Sequence, residues 1–223
     1  MHWPTDQLTA QAATAYPVVI KREAPATQFV GCPTRAETWN DRVFQPAQWP
    51  AGPLRSSPEQ IIKFFRMKRY TQGLAMVVSW GGMGRRSKDI YGQRRHATIE
   101  QIERTLRECA ESIQTSQSIA DSWRALTGQL NWSAVITSKT LHFLCRSSGF
   151  EQNPPVAIDN SCIRDKVWPA FRNSIPSTQR PKGWNGNTLE AYYRYMTAIL
   201  IWSEAKNWTT TQMESTIFCE YMS

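Results

Sequence analysis

Apolar residues recur at helical spacing along most of the chain after residue 57, and this pattern predicts a series of amphipathic helices. The clearest apolar stripe lies at 99–115 and follows the capping box Thr98-Ile99-Glu100-Gln101. A second cap, Ser57-Pro58-Glu59-Gln60, opens a basic amphipathic helix that is predicted to reach about Tyr70. Further helices are predicted at 118–126, from Thr137–Ser138 to Gly149, at 160–171, at about 188–205, and from Thr210 or Thr211 onward.

Prolines and short apolar runs mark the parts of the chain that do not follow helical spacing. Residues 1–57 hold seven of the 13 prolines, which predicts irregular structure with one short strand at Tyr16–Lys21. The run Leu74–Trp80 is too short for its period to separate helix from strand, and 173–186 has the composition of a loop. No strand–helix–strand alternation is visible, which disfavours Rossmann and P-loop enzymes. The predicted fold class is therefore mainly α, with an irregular segment at 1–57 packed on a helical domain at 58–223.

Composition indicates a globular protein and disfavours several other classes. Of the 223 residues, 41% are hydrophobic and 20% are charged, a balance that favours a folded core. The longest apolar runs have five residues, whereas a membrane span needs about 20. The five cysteines form no CxxC pair, which is typical of reduced thiols, and no secretory signal is expected. These features predict a cytoplasmic protein.

The net charge of +8 is concentrated in one window of the sequence. Residues 61–96 hold nine lysines and arginines against one acid, Asp89, so this window alone carries +8. Such an excess is typical of a surface that binds a polyanion, above all nucleic acid, although a solvated basic face without a partner has the same composition. The cations expected to contact DNA phosphates are Arg85, Arg86, Lys88, Arg94 and Arg95.

Familiar catalytic and cofactor motifs are missing from the sequence. It contains no GxxxxGKS/T, GxSxG or HExxH pattern, which disfavours P-loop, serine-hydrolase and zinc-protease chemistry. Gly81-Gly82-Met83-Gly84 is a weak dinucleotide loop because no secure strand precedes it. The three histidines, at 2, 96 and 142, have no ligand partner at metal spacing. Neither a metal nor another cofactor is therefore expected.

One constellation could carry chemistry: a lysine and an aspartate twenty residues apart, each at a predicted helix start. Lys139 opens one helix, and Asp159 follows the extended segment Asn153-Pro154-Pro155 before the next. An amine attacks carbon only when it is neutral, and both a helix N-terminus and partial burial favour that form. A carboxylate at the next helix start could stabilise a cationic, oxocarbenium-like sugar. The pair is therefore interpreted as a nucleophile with an electrostatic partner.

The stretch 137–168, TSKTLHFLCRSSGFEQNPPVAIDNSCIRDKVW, resembles the helix-hairpin-helix DNA glycosylases of the 8-oxoguanine type. The whole chain is similar to small bacterial members of that family, some of which are encoded beside anti-phage defence genes. The resemblance implies a fold of two helical lobes with DNA bound between them. It implies that Lys139 is the nucleophile that displaces the base and can nick the strand by β-elimination, and that Asp159 is the catalytic aspartate.

Other residues of the same helices have candidate roles. Thr137 and Ser138 are expected to contact DNA. Phe143 lies one turn after Lys139 and could stack on an extruded base, with core packing as the alternative. Trp202, on the helix at 188–205, has the same two interpretations, a wall of the base pocket or a core residue.

Two departures from the family pattern affect the expected function. Residues 129–148 contain no glycine, whereas the family's hairpin is glycine-rich where it approaches a phosphate. Of the cysteines, only Cys219 lies near the C-terminus, so the four-cysteine iron–sulfur cluster of some branches is not expected. The predicted function is a DNA N-glycosylase with AP lyase activity that removes an oxidised or otherwise modified base. The alternatives are a non-catalytic DNA-binding module with the same fold and a structural helical adaptor.

Overall fold

The computed structural model describes residues 4–26, 33–35, 53–81, 97–151, 153–159 and 188–222. Helices dominate these residues, which confirms the predicted mainly α class. The eight helices among them are α1 (Gln7–Ala15), α2 (Pro58–Arg66), α3 (Tyr70–Trp80), α4 (Ile99–Ser116), α5 (Ala120–Gly128), α6 (Ala134–Ser147), α7 (Leu189–Lys206) and α8 (Thr210–Met222). The predicted helix at 160–171 and the predicted loop at 173–186 lie outside the described residues. None of the helices described here is both long and apolar enough to cross a membrane.

Two short strands, β1 (Pro33–Arg35) and β2 (Pro53–Arg55), pair antiparallel with Thr34 opposite Leu54. Each strand begins with a proline, a residue that strands accept at their first position. The sequence does not predict this pair, because three residues are too few to show a period-2 alternation.

The N-terminal segment contains a helix where the sequence predicts irregular structure. Asp6 caps α1 by accepting a hydrogen bond from the backbone N–H of Thr9 at 2.8 Å. The predicted strand at Tyr16–Lys21 is wrong, since those residues belong to neither a strand nor a helix. The capped, alanine-rich run before them favours a helix, and Pro17 lacks the N–H that a strand would use in pairing.

Local capping signals predict the starts of α2 and α4 correctly. Ser57 and Gln60 form the predicted capping box of α2, and Thr98 caps α4 by accepting a backbone N–H of its first turn. α2 ends at Arg66, a turn before its predicted end. The reason is that Lys68 adopts a left-handed conformation (φ 57°), which a right-handed helix cannot include.

The run at 74–80, ambiguous in sequence, belongs to α3, which is buried along nearly its whole length. Both α2 and α4 pack against it. Gly73 permits the close approach of α2, because a Cβ on this residue would lie 2.7 Å from the Phe65 ring. A helix that is apolar on all sides forms the centre of a core, and α3 has this character.

The chain divides into two compact units. Unit 1 comprises Met1–Phe29, Ser133–Ser138 and Gln152–Ser223, and in it α1 packs on α7. Unit 2 comprises Val30–Trp132 and Lys139–Glu151, and its core is built around α3. Neither unit is a continuous stretch of sequence, and the predicted domain boundary after residue 57 stays a prediction.

Candidate catalytic site

α6 begins at Ala134, three residues before its predicted start, and this places Lys139 in the second turn of the helix. The backbone N–H of Thr137 already donates to the Ser133 carbonyl at 3.0 Å, as in a continuous helix. The prediction that Lys139 lies at a helix start is therefore wrong. The helix N-terminus was expected to favour the neutral form of the Lys139 amine, but that effect acts over the first turn only and does not reach the second.

The turn before α6 is made without glycine. Asn131 adopts φ 52°, the left-handed conformation that asparagine tolerates better than most residues. The backbone N–H of Trp132 then donates to the Leu126 carbonyl at 3.1 Å, which closes the end of α5. Helix, turn and helix therefore follow one another over 120–147, with asparagine as the left-handed residue of the turn.

The side chain of Lys139 is buried in unit 2, with 6% of its surface exposed. Its Nζ lies 3.5 Å from the carbonyl oxygen of Gly81 and 5.9 Å from the centre of the Trp80 ring. Both residues lie at the C-terminal end of α3, where the helix dipole favours a cation. Burial acts in the opposite direction, because it penalises the charged form of an amine.

Trp80, His142 and Phe143 form an aromatic cluster next to Lys139. The rings of Trp80 and His142 are parallel to within 8°, with 6.5 Å between centroids, and Phe143 meets Trp80 edge-on at 5.1 Å. His142 and Phe143 are also perpendicular, at 4.8 Å. On the far side of His142, Nη1 of Arg146 lies 3.5 Å from Nε2 of the imidazole, and burial lowers the pKa of the Arg146 guanidinium. The amine therefore lies beside a compact group of buried rings.

Sequence reasoning missed three residues around Lys139: Trp80, Gly81 and His142. His142 has no partner at metal-ligand spacing, so the sequence predicts no metal role for it. Its position three residues after Lys139 places both side chains on one side of a helix, and this spacing could have identified His142 as a neighbour of the lysine. Gly81 and Trp80 precede Lys139 by 58 residues or more, and no local pattern in the sequence indicates that they approach it.

Asp159 ends an extended and largely buried segment of unit 1. Side chains of α7 hold this segment: the Tyr192 hydroxyl donates to the Val156 carbonyl at 2.7 Å, and the Val156 N–H faces Sδ of Met196 at 3.3 Å. Asp159 itself is partly exposed. Its expected role as the N-cap of a helix at 160–171 falls outside the described residues.

The hydroxyl of Ser138 makes a contact that bears on both predicted catalytic residues. It accepts a hydrogen bond from the Ile158 backbone N–H at 2.9 Å and donates one to the Val135 carbonyl at 3.1 Å. Ser138 directly precedes Lys139, and Ile158 directly precedes Asp159. The chain neighbours of the lysine and the aspartate are therefore hydrogen-bonded to each other within unit 1.

The side chains of Thr137 and Ser138, which are predicted to contact DNA, are buried, and their contact with DNA stays a prediction. Both residues are 0% exposed, and the Ser138 hydroxyl is engaged by protein groups on both its donor and its acceptor side. A side chain has to reach the surface to contact a DNA phosphate.

Phe143 and Trp202, both predicted for a base pocket, lie in the core instead. Phe143 is 0% exposed within the aromatic cluster. Trp202 is 4% exposed and donates its indole N–H to the Ala13 carbonyl at 3.0 Å, which ties α7 to α1. The alternative of core packing is therefore confirmed for both residues.

The structure describes only the first part of the basic window at 61–96. There, Lys63 and Lys68 are exposed, and Arg66 pairs with Glu151 at 2.6 Å. The five cations expected to contact phosphate lie outside the described residues, and their role stays a prediction; they are Arg85, Arg86, Lys88, Arg94 and Arg95.

Within the part of the chain that the structure describes, no group of three or more histidine, cysteine, aspartate or glutamate residues could hold a metal ion.

No protein-family model, curated protein or solved structure matches the chain.

Proposed function

We propose that this protein is a DNA N-glycosylase with AP lyase activity in which Lys139 is the nucleophile. The observation that supports this best is the burial of Lys139, at 6% exposure, on a helix that follows a short turn. Lysines are almost never fully buried without stabilising contacts, so a buried one is a candidate for chemistry. The hydrogen bond between Ser138 and Ile158 adds support, because it joins the residues that precede Lys139 and Asp159. The proposal agrees with the resemblance carried by 137–168.

The proposed reaction begins after the target nucleotide has left the base stack, because its sugar carbon C1′ is otherwise out of reach. The neutral amine of Lys139 forms a bond to C1′ while the bond from C1′ to the base breaks. The base leaves with the bonding electron pair and takes up a proton. The nitrogen then loses a proton and forms a double bond to C1′ while the bond from C1′ to the ring oxygen O4′ breaks; O4′ keeps that electron pair and takes up a proton, which gives a Schiff base. Removal of a proton from C2′ expels the 3′ phosphate and nicks the strand.

In this proposal Asp159 supplies negative charge near the sugar as positive charge develops on it. The partly exposed carboxylate follows a backbone segment that α7 holds in place, so the charge would be presented with little reorganisation. This preorganisation is the property that makes a charged group effective in a transition state.

The resemblance makes oxidised guanine the first substrate to test. A modified base in invading phage DNA is the second, because of the genes that accompany related proteins. Both belong to the same reaction class, and a panel of duplexes with single modified bases compares them directly.

One observation favours a second candidate function, a DNA-binding module without catalysis. The Lys139 amine approaches the carbonyl end of α3, which favours the cationic and therefore non-nucleophilic form.

Borohydride trapping separates the two functions. The protein is mixed with duplex DNA that contains one abasic site, and sodium borohydride reduces any Schiff base to a stable covalent adduct. A lyase gives an adduct on a denaturing gel, whereas salt-sensitive binding without an adduct selects the binding module. A duplex with a tetrahydrofuran analogue of the abasic site is the matched control, because it has no aldehyde to react.

A further inference from the structure

At the end of α3, Gly81 lies very close to the Lys139 side chain, and this contact affects the position of the amine. A Cβ placed on Gly81 would lie 2.9 Å from Nζ of Lys139 and 3.1 Å from its Cδ, whereas ordinary van der Waals contact begins at 3.4 Å. A side chain at position 81 would therefore displace the amine by about half an ångström. The φ of Gly81 is −76°, a value open to any residue, so backbone conformation does not explain the glycine.

We propose that Gly81 is a positioning residue for Lys139. The missing side chain leaves room for the lysine stem to cross the end of α3, and the Gly81 carbonyl oxygen, 3.5 Å from Nζ, orients the amine. The Trp80 ring borders the same position, with its centre 5.9 Å from Nζ. This inference rests on the proposed role of Lys139 in base removal, but the position of the amine can be measured without that role.

The other described glycines provide matched controls. Gly128, also at the C-terminal end of a helix, would place its Cβ in open space with nothing within 4 Å. Gly73 would meet the Phe65 ring at 2.7 Å, a clash that strains the core of unit 2 without touching the lysine. Of the four glycines that the structure describes, Gly81 alone meets an ionisable side chain.

The test measures how fast individual lysines react with trace acetic anhydride across a range of pH, by mass spectrometry of the full chain. Lys63 and Lys68 are exposed and serve as internal references. In the wild type, Lys139 should react several-fold more slowly than the references. In Gly81→Ala its rate should rise several-fold and its pH profile should move toward theirs. Gly128→Ala and Gly73→Ala should leave the rate and profile of Lys139 as in the wild type.

The second measurement is the yield of the borohydride-trapped adduct. A displacement of the amine by a fraction of an ångström to 1 Å should reduce the borohydride-trapped adduct of Gly81→Ala by up to about 100-fold, since misplacement on that scale has this cost. A faster labelling of Lys139 with no adduct from any variant, the wild type included, supports the role of Gly81 and overturns the lyase proposal. An unchanged labelling rate of Lys139 in Gly81→Ala overturns the inference about Gly81, whatever the activity.

A double-mutant cycle in thermal unfolding covers the case in which Gly81→Ala folds poorly. Gly81→Ala should give a lower melting temperature, relative to its own parent, in the wild-type background than in a Lys139→Ala background, where the atoms it would strike are gone. Equal shifts in both backgrounds would show that Gly81 does not act on Lys139.

Discussion

Burial separates Lys139 from exposed lysines such as Lys63 and Lys68. Its reactivity depends on two properties, the position of its nitrogen and the balance between its charged and neutral forms. Gly81 and Trp80 border the nitrogen, while burial and the carbonyl end of α3 act on the balance of its two forms in opposite directions. At the scale of single residues, a few neighbouring groups therefore surround the amine, and single substitutions can remove them one at a time.

Ser138→Ala should lower the free energy of unfolding by about 1–3 kcal/mol, because it leaves the buried N–H of Ile158 without its acceptor. The measurement is denaturant unfolding at neutral pH. Thr137→Val is the matched control on the preceding residue: the Thr137 hydroxyl is buried with no hydrogen-bond partner, so its replacement by a methyl group should be neutral or stabilising. Equal losses from the two variants would contradict the assigned role of the Ser138 hydroxyl.

Asp159→Asn should keep the melting temperature and lose most base removal. Asparagine has nearly the size and shape of aspartate, so the substitution removes little besides the negative charge. Electrostatic stabilisation of this kind contributes about 3–4 kcal/mol to the barrier, which predicts a fall in the single-turnover rate of about 100- to 1000-fold. A variant that excises bases at the wild-type rate would remove Asp159 from the mechanism.

At the scale of elements, local signals predict helix starts well where a cap is present. Ser57 and Thr98 each bind a backbone N–H of the following turn, and the first helical residues of α2 and α4 are as predicted. The start of α6 is missed because Ala134–Ile136 already belong to the helix, and Ser133 before them is not followed by the Glu or Gln of a capping box. The surroundings of Lys139 could not be predicted, because Gly81 precedes it by 58 residues in the sequence and comes close to it only through the packing of α3.

The cap of α1 makes stability depend on pH in the acid range. Burial of the Asp6 carboxylate acts to raise its pKa, but hydrogen bonds from Thr9 and Arg194 outweigh it and lower the pKa below 3.8. A lowered pKa means that the ionised form contributes stability above pH 3.8, and this contribution is lost as the pH falls through the folded-state value.

Asp6→Asn retains the cap and removes the charge. Above pH 4 the wild type should be more stable than this variant by at most about 1 kcal/mol, since the pair with Arg194 is partly exposed. The difference should shrink as the pH falls below 3.8. Denaturant unfolding at a series of pH values measures it, and a difference that grows toward low pH would contradict this account of Asp6.

At the scale of the whole molecule, the concentration of positive charge at 61–96 predicts how salt affects the proposed binding of DNA. Affinity should fall steeply with salt, and each phosphate that a variant no longer neutralises should reduce the slope of log affinity against log salt by about 0.9. Replacing Arg85, Arg86, Arg94 and Arg95 with glutamine should therefore flatten the slope. The matched control removes the same charge from exposed positions outside the window, at Arg22, Arg104, Arg107 and Arg124. An equal effect of the two sets would mean that net charge, rather than the basic window, governs binding.

The central claim, that Lys139 is the nucleophile, is tested most directly by borohydride trapping of Lys139→Gln on abasic-site DNA. Glutamine has nearly the helix propensity of lysine, so α6 should remain intact, and DNA binding should persist because the nine cations of the basic window are unchanged. The account predicts an adduct with the wild type, which peptide mapping places on Lys139, and none with Lys139→Gln. A full-strength adduct with Lys139→Gln, mapped to another lysine or to the N-terminal amine, would contradict it.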